Sequence, residues 1–415
     1  MDAGATDVEV QLLTLGFPGR EPTFAQWMPV RPADGGQAPV LLLAKPYEGV
    51  SWPADARDQR WATLGPGLHP DVDGPDAGAA PPLIVYTPVS VEGQADEAGL
   101  YRLHGISVLI VYARFYVGGS IQNDVDDIVN GLEFLAREPG VDRSRIGIQG
   151  GSWGGFLAVH GAAAAPATAT PRIGAVLYPL TDFAEQWRYV TQTMPSRLGP
   201  DAGAAYSRFF DPYLRRIAAT TGGAPDAGGA FSRFDVGSIA ARLRTPFLVV
   251  HEDWDALVGI DQSSRLFAAR PALIRPLWLR HQAAPASWDA IGASHGPLMD
   301  AFAGVGAFTF VWATLLRDLA DTPFVYVPWT EDPGSGAPLT QLLAHARDAS
   351  RAGAPHHELA TALAGLLDPR VTMYALPSGQ VEPGAAFVSR QVNLVWGLAT
   401  TPATIGAVLD AGLPP

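Results

Sequence analysis

Arg145-Ile146-Gly147-Ile148-Gln149-Gly150-Gly151-Ser152-Trp153-Gly154-Gly155 runs from a short apolar strand pattern, through a serine framed by glycines, into a helical pattern. A Gly-x-Ser-x-Gly motif between a strand and a helix is the sequence form of a nucleophile held on a strained turn. Small neighbours at Gly150 and Gly154 let strand and helix approach closely, and the first N–H groups of the helix face any oxyanion that forms. Ser152 is therefore the expected nucleophile. Upstream, strand-like runs at 8–15, 23–30 and 40–44 surround the breaker-rich Pro32-Ala33-Asp34-Gly35-Gly36, which reads as a hairpin delivering a buried strand. A short apolar run at 83–86, a helical pattern at 95–104 and a strand at 106–112 follow. Asp124, Asp126 and Asp127 then open a helix ending near Pro139, where acids suit a helix N-terminus. Downstream, strands are expected at 173–178, 247–251 and 273–279. Strands alternating with helices imply a mostly parallel sheet with helices on both faces.

A serine hydroxyl needs a base, and the base needs an orienting carboxylate, here in the order serine, acid, histidine on loops after later strands. Asp255 sits just past the strand at 247–251, in His251-Glu252-Asp253-Trp254-Asp255, and His295 sits in Ala293-Ser294-His295-Gly296-Pro297. Asp253 is the alternative acid and His281 the alternative base. The oxyanion is expected to face the Trp153 N–H and the phenol of Tyr47, with Tyr86 as the alternative donor.

Composition closes other routes. The net charge of −13, without a concentrated basic patch, argues against a nucleic-acid partner. The absence of cysteine removes disulfides and thiolate chemistry, and Lys45 is the only lysine, so Schiff-base or Ser-Lys chemistry has little material. His356-His357-Glu358 puts two adjacent helical residues in different directions, and Asp71-Val72-Asp73-Gly74-Pro75-Asp76 lacks the spacing and terminal Glu of a calcium loop. No metal or cofactor is expected. With 47% hydrophobic and 17% charged residues the chain can fill a sizeable core.

The run Asp142-Arg143-Ser144-Arg145-Ile146-Gly147 into Gly150-Gly151-Ser152-Trp153-Gly154-Gly155, then Thr245-Pro246 before a strand, Asp255, and His295-Gly296, resembles the catalytic domain of prolyl oligopeptidase-type serine peptidases. Pro39-Val40-Leu41-Leu42-Leu43 leading to Pro46-Tyr47 is similar to the cocaine esterase and X-Pro dipeptidyl-peptidase group, in which a tyrosine at the corresponding place assists the oxyanion hole. The resemblance covers roughly residues 20 to 320 and implies an α/β-hydrolase fold with the triad Ser152, Asp255 and His295. Trp153 departs from the tyrosine more usual after the nucleophile. No propeller sequence precedes the motif, and no paired-glutamate anchor for a peptide amino terminus is visible.

On these departures the expected activity is hydrolysis of small or medium carboxylic esters through an acyl-enzyme. A peptidase for short peptides is the alternative, and a silent hydrolase-fold binding protein is a third reading. Residues 1–320 read as the catalytic domain, with a helical lid insertion at about 183–240, and 321–415 as a C-terminal extension without an assigned role. Trp187, Tyr189, Phe209 and Phe210 in the insertion are candidate substrate contacts, against the plainer reading that they are the lid's own core. Arg188, Arg197, Arg208, Arg215 and Arg216 are candidate anchors for a substrate carboxylate, against local pairing. No apolar run reaches the roughly 20 residues of a membrane helix. The stretch 301–316 reads as a buried core helix. The chain is expected to be soluble, with a removed export or lipid-anchor segment ahead of Asp2-Ala3-Gly4 as an open alternative.

Overall fold

The structure is a computed structural model. It describes residues 10–46, 50–51, 89–90, 98, 101–102, 104–115, 119–252, 255–279, 311, 314–316, 318–320, 373–375 and 381–383. The apolar runs form strands β1 (Gln11–Leu15), β2 (Thr23–Met28), β3 (Ala38–Pro46), β4 (Ser107–Ala113), β5 (Val141–Gly151), β6 (Ile173–Leu177), β7 (Phe247–Glu252) and β8 (Ile274–Leu279). They pair into one sheet in the order β1-β2-β4-β3-β5-β6-β7-β8. β2 runs antiparallel to β1 and to β4, and every other pairing is parallel. This is the strand order of the α/β-hydrolase fold.

One sequence expectation is corrected here. The hairpin joins β1 to β2, and β4 inserts between β2 and β3, so the turn at Pro32–Gly36 links strands that are not neighbours. The reason lies in β4, where Ser107, Val108, Leu109, Ile110, Val111, Tyr112 and Ala113 are all buried. A strand apolar along its whole length needs a neighbour on each edge and cover on each face.

The cover comes from α1 (Ile121–Arg137) and α2 (Trp153–Ala164). α1 starts at Ile121 because Ser120 caps it, its hydroxyl accepting from Asn123 N while the Asn123 side chain accepts from Ser120 N. Gly131 lets this helix lie on Leu42, Leu109 and Val111, whereas Gly147 of β5 meets Leu319 and Leu41. Leu41 and Leu42 point to opposite faces, so α1 covers one face and the helical residues around Leu319 cover the other. α2 is apolar all round, with every residue from Trp153 to Ala163 buried, which marks it as a core helix. Where it crosses α1, Gly161 faces Ile128, leaving no room for a Cβ.

Between β6 and β7 the chain forms α3 (Phe183–Arg188), a π-helical turn (Tyr189–Thr193), α4 (Met194–Leu198), α5 (Pro200–Thr221) and α6 (Val236–Arg242). Asp182 and Asp235 cap α3 and α6 through Glu185 N and Ser238 N, and Gly222, at φ 82°, ends α5. α7 (Asp261–Ala269) returns the chain to β8. Beyond residue 320, only the antiparallel pair Met373–Ala375 and Val381–Pro383 is described. Among the described residues no helix is long and apolar enough to cross a membrane.

Candidate active site

Ser152 caps α2 at φ 54° and ψ −121°, one of two described non-glycine residues with positive φ. Holding it there costs on the order of 1 to 3 kcal/mol, and the surroundings over-determine it. Ser152 N donates to Leu177 O at 2.9 Å, and Phe156 N donates back to Ser152 O at 3.1 Å. A Cβ on Gly150 would lie 2.1 Å from Gly154 O, one on Gly154 2.4 Å from Ala44 O, and one on Gly155 2.8 Å from Pro179 Cα. The glycines therefore bring β5, the start of α2, the end of β3 and the end of β6 into backbone contact around the serine. The second positive-φ residue, Tyr178 at φ 40°, ends β6 with its N donating to Val250 O, and its ring lies beside Gly151.

Asp255 lies on the loop after β7, with 1% of its surface exposed. Its Oδ1 accepts from Leu257 N at 2.9 Å and Val258 N at 2.8 Å, a turn the aspartate builds for itself. Oδ2 is 3.8 Å from His251 Nε2, too far for a hydrogen bond. His251 Nε2 instead lies 2.8 Å from Val258 O and Nδ1 2.7 Å from Ser263 Oγ. A carbonyl only accepts, so Nε2 carries the proton. His295, Tyr47 and Tyr86 lie outside the described residues, as do the alternatives His281 and Asp253, the His356-His357-Glu358 run and residues 71–76. Among the described residues, no group of three or more His, Asp or Glu could hold a metal ion.

The Trp153 side chain turns inward. It is 6% exposed, stacks on Phe115 at 4.5 Å, meets Phe156 and Phe183 edge-on, and donates from Nε1 to Asp124 Oδ2 at 2.7 Å. Asp124 Oδ1 accepts from Phe115 N at 2.7 Å. Asp127, one turn on, takes Arg114 through Nε at 2.9 Å and through a second guanidinium nitrogen at 2.8 Å, with Thr23 Oγ1 donating at 2.5 Å. Arg114 also reaches Glu21 at 2.7 Å. The sequence placed Asp124 and Asp127 at a helix N-terminus, and the structure adds that both are buried. For Asp124 the signal was present in its spacing, because Ile121, Asp124, Ile128, Leu132 and Leu135 share one helical stripe.

Burial pushes the Asp124 carboxyl up to about 8, against the pull of its Trp153 and Phe115 donors, and pushes Asp127 to about 6 against Arg114. Both folded-state values lie above the ordinary 3.8. Their contribution to stability is thus fully present below about pH 4 and is lost as pH rises, through about 6 for Asp127 and about 8 for Asp124. Urea midpoints measured from pH 4 to 9 should fall with rising pH. Asp124→Asn should flatten the part of that fall above pH 6, and an unchanged slope there would mean that Asp124 is not its source.

Between β6 and β7, Trp187 packs edge-on against the buried Phe231, and Phe209 and Phe210 pack on one another and on Tyr213, with Trp187, Phe209, Phe210 and Tyr213 half-buried. Tyr189 is buried and its hydroxyl donates to Asp255 O at 2.6 Å, so it faces the loop after β7. Of the candidate arginines, Arg188 pairs with Glu185 at 2.8 Å and Arg215 with Asp211 at 3.1 Å, while the Arg216 guanidinium sits 5.2 Å from the Phe115 ring centroid.

Residues 119–198, which span α1, the Ser152 turn and the start of the insertion, match the prolyl oligopeptidase family. No curated protein matches the chain. Similar solved structures include a puromycin hydrolase (18% identity, TM-score 0.45, covering 74% of this chain and 39% of that one). They also include the acylaminoacyl peptidase of Pyrococcus horikoshii (14%, 0.47, 77% and 43%) and a puromycin-hydrolyzing peptidase of Mycobacterium tuberculosis (18%, 0.48, 75% and 39%). The chain spans about two fifths of the length of these structures.

Proposed function

We propose that this chain, an α/β-hydrolase fold with a prolyl oligopeptidase-type segment around its nucleophile turn, is a serine hydrolase that cleaves peptide substrates. The observation that carries the reading is the left-handed Ser152 at the β5–α2 junction, with Asp255 buried past β7. In this reading Ser152 Oγ attacks the scissile carbonyl carbon as its proton passes to His295, which Asp255 orients. The oxyanion faces the Trp153 N–H and the phenol of Tyr47, with Tyr86 as the alternative. Tyr47 lies three residues past Ala44, whose carbonyl abuts Gly154. His295 then hands the proton to the leaving amine, the C–N bond breaks, and water attacks the acyl-enzyme by the same route in reverse.

The expectation from sequence put esters first. The family match at 119–198 favours the peptide alternative. Trp187, Phe209 and Phe210 keep part of each ring exposed and remain the proposed substrate contacts, whereas the Tyr189 hydroxyl is committed to the acid loop.

The test is hydrolysis of aminoacyl and Xaa-Pro amides beside p-nitrophenyl acyl esters, with fluorophosphonate labelling, using wild type, His295→Ala and His281→Ala. Amide cleavage lost in His295→Ala and retained in His281→Ala is the expected result. Ester turnover with no amide cleavage would return the substrate class to carboxylic esters. A folded chain that takes no label would be a binding protein on a hydrolase fold.

A further inference from the structure

Four consecutive carbonyls of the loop after β7 are taken by four different side chains. Tyr189 Oη donates to Asp255 O at 2.6 Å and Tyr206 Oη to Ala256 O at 2.6 Å. Gln186 Nε2 donates to Leu257 O at 2.5 Å, and His251 Nε2 to Val258 O at 2.8 Å. Three of these donors come from the insertion between β6 and β7, and one from the strand that precedes the loop. The N–H groups of Leu257 and Val258 meanwhile turn inward onto Asp255 Oδ1. The peptide planes of 255–258 are thus fixed from outside by the insertion, and the Asp255 carboxylate is fixed from inside by the same peptides. Gly259 extends the contact, since a Cβ there would lie 2.8 Å from the Tyr189 ring. Tyr189 is also the first residue of the π-helical turn, a local change of helical pitch that re-aims side chains.

We propose that the insertion is a clamp on the acid loop, with Tyr189, Tyr206 and Gln186 as positioning residues that hold Asp255 in register with the base serving Ser152. The proposal rests on the reading of Asp255 as the triad acid. It assigns the buried part of the insertion, α3 to α5, to setting the catalytic carboxylate as well as to any cover over substrate. The ionisable groups facing the loop are His251 from β7, Tyr189 and Tyr206 from the insertion, Asp261 from α7 and Arg197 from α4. Burial, with Asp255 and Asp261 nearby and Arg197 opposing, holds the Tyr189 phenol well above its ordinary value. Burial, with Tyr189 and Asp255 nearby, does the same for Tyr206. Both therefore remain protonated donors throughout the range in which such an enzyme would be assayed.

Tyr189→Phe, Tyr206→Phe and the double variant keep the rings and remove only the hydroxyls. Turnover is measured per active site titrated with a fluorophosphonate, so unfolded protein drops out. Each single variant is expected to lower kcat about tenfold and the double about a hundredfold, with KM within about threefold, as for a positioning hydrogen bond lost from the transition state. The acid limb of kcat/KM against pH should move to lower pH, because a carboxylate that drifts away stabilises the imidazolium less. Thr220→Ala, which removes a hydroxyl bonded only within α5 at Ile217 O, is expected to leave kcat and the limb unchanged. Unchanged kcat per titrated site and an unmoved limb in the double variant, with Asp255→Asn inactive, would overturn the clamp and leave the acid assignment standing. Near wild-type turnover in Asp255→Asn would overturn the acid assignment and the clamp with it.

Discussion

Ser152→Ala is expected to abolish fluorophosphonate labelling and to lower kcat by about 10⁶-fold, the scale at which removal of a nucleophile leaves only binding and oxyanion stabilisation. The backbone at Ser152 permits a sharper form of this experiment. At φ 54° and ψ −121° any side chain is strained, and alanine keeps the Cβ that suffers the strain. Ser152→Gly should be equally inactive yet more stable than Ser152→Ala, by about 1 to 3 kcal/mol. Inactive variants of equal stability would mean that the turn is not strained. Residual turnover above a hundredth of wild type in either would mean that Ser152 is not the nucleophile. Both readouts, active-site labelling and urea midpoints at constant m, come from the same two preparations.

The second large effect separates two adjacent glycines, Gly150 and Gly151. At Gly150 a Cβ would meet the Gly154 carbonyl oxygen at 2.1 Å, and backbone on both sides of the turn would have to part to admit it. Gly150→Ala is expected to cost about 3 kcal/mol or more, the upper end of overpacking penalties. At Gly151 the nearest atoms are those of the Tyr178 ring at 3.5 to 3.7 Å, ordinary van der Waals distance, so Gly151→Ala should change stability by less than about 1 kcal/mol. Equal midpoints for the two alanine variants would mean that the tight approach of β5 to α2 can relax.

Why the strand–turn–helix at Ser152 was readable and its supports were not follows from where each is encoded. The turn is local: glycines at Gly150, Gly151, Gly154 and Gly155, an apolar strand before and a largely apolar helix after, all within residues 145–164. The sheet was readable for the same reason, strand by strand, but its order was not. That β4 sits between β2 and β3 depends on burial along both of its edges, which only pairing reveals. Asp124 shows the limit in one residue. An acid in the first turn of a helix is favourable on an exposed helix through the dipole, and that local rule hid its place on the apolar stripe under Trp153. Tyr189 and Tyr206 show another limit: aromatic content signals packing, while the destination of a phenolic hydroxyl, here a carbonyl 50 or 66 residues away, leaves no trace in spacing.

The short length of β6 has a geometric consequence. It pairs level with Gly151 on one side and Val250 on the other, then stops at Leu177, where Tyr178 turns the chain out of the sheet in a left-handed conformation. β7 continues to Glu252 before the Asp255 loop begins. Ser152 and Asp255 are therefore mounted on strands two apart, with the end of β6 between them. Two inter-strand spacings amount to roughly 10 Å. If Ser152 and Asp255 act as proposed, the group between them has to bridge that separation, less the reach of the two side chains, with a hydrogen bond of about 2.8 Å at each end. On that reading the sheet acts as a gauge block: its strand spacing sets the size of the bridging group, and the early end of the middle strand leaves room for it.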